Sequence, residues 1–350
     1  MLKKIFANFK DILTFADKSA SITDELATRK RSIDLYSLNL NLPDPDPILR
    51  KQGKDIKIYK ELLSDPDVWA CVQSRKAGVL SLEWDIDKGK AKSDQAMIIQ
   101  NIFNDLDLYT IITEILDTSL YGFQPIEVVW ENRGGLILPK KVQAKPPEWF
   151  VFDTDNRLKL KTRSNPLGEE LPEKKFLCPQ HFANYQNPYG ERTLSRVFWP
   201  VTFKKGGMKF WSIFTEKYGM PCLVGKHPRG ASKEDIEKLA DMLESMVTDA
   251  IVVIPDDSSV EIKEAGGKGA SADIYNKLID KMDAQISKAI LGQTLTSDSG
   301  QGNGSYALGK VHAGVRQDIV DSDKRIVEKT INQLIHWIYE LNCVFGKIKV

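Results

Sequence analysis

The chain has 350 residues, 42% of them hydrophobic, which is enough for a sizeable core in two or three packed units or one elongated one. Its 49 basic and 48 acidic residues leave a net charge of +1, against the strong basic excess of a dedicated nucleic-acid binder, though nucleic acid could still pass its surface without sticking. The cysteines Cys71, Cys178, Cys222 and Cys343 are far apart with no CxxC spacing; this argues against a zinc or redox centre and for free thiols in a reducing compartment, and no apolar run approaches the roughly 20 residues of a membrane span.

In the first segment, Leu2, Ile5, Phe6, Phe9, Ile12 and Leu13 recur at helical spacing, while Asn8, Lys10 and Asp11 interrupt any signal-peptide core. The reading is a helix docked on this protein or a sister subunit, ahead of a membrane anchor. Residues 14–55 are polar, and LPDPDP at 42–47 excludes helix or central strand there, so this stretch is predicted to be an extended arm, disordered or laid across a neighbour. Ser64-Asp65-Pro66 predicts a helix through Val79, and SLEWDID at 81–87 alternates like a strand. Helices follow near 94–106 and 108–120, the second ended by Gly122. Segments 125–130, 136–143, 149–153 and 157–162 then read as an antiparallel meander.

From Thr193 to Tyr218 the apolar residues return at helical spacing, with a bend expected at Gly206-Gly207 and closure at Gly219 and Pro221. Residues 220–265 read as a small α/β module. PCLVGKH, AIVVIP and VEIKEA are its strands, and Ser232 with Asp235 caps its helix. Two strong helices end the chain, at 272–292 and 306–342, the second with Asp321 and Arg325 as an i,i+4 pair. Between them lies TLTSDSGQGNGS, 294–305, rich in glycine and nearly free of apolar residues. The fold class is therefore α+β.

Signatures of catalysis are missing. There is no P-loop, HExxH or GxSxG. Gly266-Gly267-Lys268-Gly269 lacks the Ser or Thr that would follow the lysine of a phosphate loop, and no strand precedes the glycines at 300–304. His181, His227, His312 and His336 stand alone in the sequence. Cys178 with His181 is a conceivable nucleophile pair, and Asp44, Asp46 and Asp256-Asp257 conceivable cation ligands; turn and arm chemistry is preferred for all of them. No metal, cofactor or catalytic residue is assigned.

Two features carry physical consequences. Lys277, Lys281 and Lys288 share one helix face, with Asp280 and Asp283 nearby to limit sticking; repeated around a ring, such a stripe would make bands of positive charge that touch phosphate without reading sequence. Phe198, Trp199, Phe203, Phe210, Trp211, Phe214 and Tyr218 concentrate aromatic surface on one segment, as core or as subunit interface, two readings held equal.

Six ordered blocks resemble the portal proteins of Mu-like phages and prophages: DPDVWACVQSRKAGVLSLEWDI at 65–86, LYGFQPIEVVW at 120–130, NPYGERTLSRVFWP at 187–200, FTEKYGMPCLVGK at 214–226, ISKAILGQTLTSD at 286–298 and ALGKVHAGVRQDIVDSD at 307–323. The resemblance implies a non-enzymatic ring, of twelve subunits as a rule, at one head vertex. Such a ring passes double-stranded DNA during packaging and ejection. Its partners are other copies of itself, the terminase large subunit, which supplies ATP hydrolysis, and head and neck or tail proteins. It sits in the virion, assembles in the host cytoplasm and needs no membrane. Laid on this chain, the family layout gives an N-terminal helix and arm at 1–59, a wing at 60–192, a first stem helix at 193–219, a clip at 220–271 and a second stem helix at 272–293. A tunnel loop follows at 294–305, then a helix returning to the wing at 306–350, with the crown minimal or missing. The lysine stripe and Thr294, Ser297, Asp298, Gly300, Gln301, Gly302, Asn303 and Gly304 would then face the channel. A head–tail adaptor is the alternative, and a hydrolase or nuclease the remote one.

Overall fold

The computed structural model describes residues 28–29, 41–53, 55–89, 93–219, 222–227, 230, 232–248, 259–263, 268–294 and 306–343. Aspartates cap two of the first three helices. Asp46 accepts from the backbone N–H groups of Ile48 and Leu49 and caps α1, Pro47–Gln52. Helix α2 spans Ile58–Leu62. Asp65 accepts from the N–H groups of Asp67 and Val68 at the head of α3, Pro66–Leu80. The arm expected over 14–55 is, over 41–53, part of the core: Leu42, Ile48 and Leu49 are buried, with Ile56 and Tyr59 just beyond, and Leu42 N–H donates to the Phe152 carbonyl at 2.8 Å. A few apolar residues between prolines suffice, because the proline-stiffened backbone has less entropy to lose on docking.

Helices α4, Ser93–Asn104, and α5, Leu108–Tyr121, follow as the spacing predicts. Gly122 ends α5 at φ 86°. A Cβ there would lie 2.4 Å from the Tyr189 carbonyl oxygen, and one on Gly190, at φ 70°, would lie 2.4 Å from the Gly122 oxygen. Each glycine therefore makes room for the other's backbone, which gives a packing reason for the glycines of LYGFQP and NPYGER.

Strand β1, Ile126–Arg133, pairs antiparallel with β2, Leu136–Ala144, through the turn expected at Asn132–Gly135. Their register shifts between Val129 and Trp130, opposite Pro139, where a missing N–H suits a bulge. The expected single meander is two sheets. Prolines 146 and 147 lead into a short 3-10 helix, Pro147–Trp149, which ends the first ladder. Strands β3, Phe150–Phe152, β4, Leu158–Leu160, and β5, Glu169–Glu170, form the second sheet, and β6, Phe176–Leu177, returns to the free side of β1.

Helix α6, Thr193–Gly219, continues through both Pro200 and Gly206-Gly207. Strand β7, Cys222–Lys226, pairs antiparallel with β8, Ser259–Lys263, and α7, Lys233–Thr248, comes between them in sequence. Ser232 Oγ accepts from Asp235 N–H at 3.2 Å and donates to its carboxylate at 2.6 Å. The strand predicted at 250–255 lies outside the described residues. Helices α8, Lys268–Leu291, and α9, Tyr306–Cys343, complete the chain. Residues 81–87, expected to form a strand, are a turn followed by irregular backbone. The apolar members of that alternation, Leu82, Trp84 and Ile86, line a groove against α9 instead.

One core joins α1–α3 to the start of α6 and the end of α8. A second joins α4, α5 and the β1 sheet to α9. The fold is α+β, and no helix among the described residues is long and apolar enough to cross a membrane.

Candidate functional site

Helices α6 and α8 run antiparallel. Lys204 meets Asp283, Gly207 lies opposite Leu278, and the rings of Phe214 and Tyr275 are 5.9 Å apart, so partner numbers fall on one helix as they rise on the other. A Cβ on Gly207 would sit 3.1 Å from Leu278 Cδ2. At this glycine of the expected bend, the missing side chain lets the partner helix approach.

The root of the pair is buried. Leu194, Val197, Phe198 and Val201 of α6 pack with Ile286, Ile290 and Leu291 of α8. There Lys204, 5% exposed, holds Asp283 at 2.7 Å, Asp65 at 3.3 Å and Asp67. Burial works against the lysine's charge, but hydrogen bonds to Asp283 and Asp67 outweigh it and raise its pKa above the ordinary value. Burial also raises Asp283, with Lys204 opposing. Asp283, expected to temper the lysine stripe, is thus turned toward α6. A second buried cation, Arg192, binds Asp44 at 2.6 Å, Asp46 at 3.4 Å and the Tyr121 carbonyl at 2.9 Å. This gives Asp44 and Asp46 a structural partner.

Lys277, Lys281 and Lys288 are all exposed. At about 100° per residue they lie opposite the α8 face that meets α6 through Tyr275, Leu278 and Asp283 and the core through Ile286 and Ile290. Lys277 pairs with Asp273 at 3.6 Å, both well exposed, so the contact is weak. Thr294 is half-buried just beyond α8. Ser297, Asp298, Gly300, Gln301, Gly302, Asn303 and Gly304 lie outside the described residues.

The aromatic candidates divide. Phe198 is buried within its own chain, Trp199 and Phe210 are 48% and 61% exposed, and Trp211 and Phe214 are half-buried. The side chain of Tyr218 lies outside the described residues. Phe203, another aromatic of this segment, and Ile213, read from the sequence only as part of the helical stripe, are also exposed. Trp199, Phe203, Gly206, Phe210 and Ile213 follow a 4-3-4-3 spacing, the pattern of a seam between helices, and the Trp199 and Phe203 rings stack at 5.7 Å.

The arrangement around Cys178 opposes nucleophilic chemistry. Burial pushes its thiol up to about 12, the reverse of activation. Burial lowers the His181 pKa, and its Nδ1 lies 2.8 Å from the Glu191 carbonyl oxygen. No cluster of three metal-binding side chains occurs among the described residues, and Asp256-Asp257 lie outside them.

The family model described as the portal protein of Mu bacteriophage matches residues 56–349. The chain is 30% identical over 290 residues to the Mu-like prophage FluMu protein gp29 of Haemophilus influenzae, covering 80% of this chain and 55% of that one. It is 27% identical over 344 residues to the portal protein of Escherichia phage Mu, covering 94% of this chain and 66% of that one. The chain thus spans between about half and two thirds of these relatives' length. Among solved structures, a chain in the neck of an empty GTA particle matches with a TM-score of 0.50 at 9% identity, over 69% of each chain, a likeness of fold alone.

Proposed function

Because this chain belongs to the family of the portal protein of Mu bacteriophage, we propose that it is a portal subunit, assembling with copies of itself into a ring at one head vertex through which double-stranded DNA enters and leaves. The observation that carries this reading is the antiparallel pair α6–α8. Its root is locked by Lys204, and its outward α8 face presents Lys277, Lys281 and Lys288. In a ring, that face would line the conduit with long-range, sequence-blind attraction for phosphate.

On this reading α6 and α8 form the stem, β7, α7 and β8 the clip, and residues 294–305 the tunnel loop. Residues 60–192, joined by α9, form the wing. Twelve copies, docking of a terminase large subunit as the ATP-driven motor, attachment of neck and tail proteins, assembly in the host cytoplasm and the lack of catalytic activity all belong to the same proposal. The exposed Trp199, Phe203, Phe210 and Ile213 seam is its subunit contact.

Electron microscopy of the purified chain tests it directly. Closed rings with a central hole are expected, and monomers persisting across salt and concentration would refute it. Shortening Ser297–Gly304 should leave rings intact and reduce packaged DNA in phage carrying the deletion; an unchanged yield would remove the tunnel-loop role.

A further inference from the structure

The segment 82–88 raises a question that ring formation does not answer. Leu82 and Trp84 are 40% and 48% exposed, yet they line a cavity of about 500 Å³ together with Phe103, Ile112, Val327 and Ile331. A second cavity of about 340 Å³ adjoins it, sharing Ile86, Asp87, Asn332 and Ile335. Together they form a continuous apolar groove between this segment and α9. The rim is acidic: Glu83, Asp85, Asp87 and Glu328 outnumber Lys88 and Lys324, and Lys324 is engaged by Glu328 at 3.6 Å.

We propose that this groove receives segment 2–13 of the chain, bound as an amphipathic helix. Leu2, Ile5, Phe6, Phe9, Ile12 and Leu13 supply a helical stripe, and Lys3, Lys4 and Lys10, against Asp11 alone, supply the opposite charge to the rim. Apolar stripe meets apolar groove, and lysines meet carboxylates on its edge. The connecting stretch is long. Arg29 is fixed at 2.8 Å to both the Thr154 carbonyl and Asn156 Oδ1, and the stretch from Leu13 to Arg29 reaches up to roughly 50 Å when extended. The inference stands apart from ring formation and would survive its failure.

Hydrogen exchange on the full chain tests it. In Phe6→Glu with Phe9→Glu, the amides of 82–88 should exchange at least tenfold faster. A synthetic peptide of residues 1–13 should restore their protection, and a peptide with both phenylalanines replaced should not. Leu82→Ser with Trp84→Ser, at two exposed positions, should weaken binding of the 1–13 peptide at least tenfold. Unchanged exchange in the double variant overturns the proposal, as does failure of the peptide to protect. Protection that survives the double substitution but disappears on dilution would assign the groove to a second copy and also overturn it.

Discussion

Arg75 on α3 and Asp323 on α9, 248 positions apart in sequence, form a buried two-pronged ion pair: Nε donates to Oδ2 at 2.7 Å and Nη2 to Oδ1 at 2.8 Å. The remaining Nη1 donates to the Ile290 carbonyl at 3.1 Å, serving an acceptor that the end of α8 leaves unpaired. One guanidinium thus joins three helices and ties the two cores together. Asp323→Asn should cost about 3–5 kcal/mol, because it strands a buried cation. Arg75→Met with Asp323→Leu should recover most of that loss, since two desolvated charges are removed together. Urea denaturation of the single and double variants measures both effects.

Adjacent glycines on α6 should respond oppositely. Gly206 has open space where a Cβ would stand, so Gly206→Ala should stabilise by about 0.5–1 kcal/mol through helix propensity. Gly207 faces Leu278, and Gly207→Val should destabilise by roughly 1–3 kcal/mol through overpacking. Adding Leu278→Ala should relieve part of that strain, and a thermal-unfolding cycle would show the non-additivity.

The exposed α6 seam separates assembly from folding. Trp199→Ser with Phe210→Ser should leave the stability of the dissociated chain within about 0.5 kcal/mol, while ring formation falls sharply. Mass photometry beside a denaturation curve distinguishes the two.

Replacing Lys277, Lys281 and Lys288 with alanine removes exposed charges only, so unfolding should again move little. The salt dependence of DNA packaging or ejection should flatten, as fewer counterions are exchanged with phosphate. An unaltered salt slope would make this an ordinary solvated face.

His181 sets a pH response. Its folded pKa is held below the ordinary 6.5, chiefly by burial. Between 6.5 and that lower value the unfolded chain binds more protons than the fold, so stability falls as pH falls through this window; above 6.5 both states are neutral, the full stability is present and the slope vanishes. His181→Gln should flatten the acid-side slope of a stability–pH curve without changing its slope above neutrality.

Local chemistry was legible in the sequence. Asp65-Pro66, Gly122, the turn at 132–135 and the Ser232–Asp235 cap each mark a boundary within a few residues of their own signal. Non-local pairing was not. Strand β6 is two residues long and joins β1 from about fifty positions away, too short to show a period. SLEWDID alternates without forming a strand, because alternation records two-faced burial, which a groove edge produces as well as a ladder does. Residues 41–53 read as an arm on average polarity, although Leu42, Ile48 and Leu49 reach the core. At the candidate site, the lysine stripe followed from helix geometry. The role of Asp283 did not, since nothing near it in sequence points to Lys204.

Lys204 has a mechanical consequence. The α6–α8 pair is a cantilever, built in at the Lys204 end and bearing the β7–α7–β8 module at the other. A sideways load on the tip produces its largest bending moment at the root, where three aspartates grip one lysine. Toward the tip, the ring contact of Phe214 with Tyr275 offers little resistance to shear. The root is thereby the part of the pair best braced to keep its angle to the body.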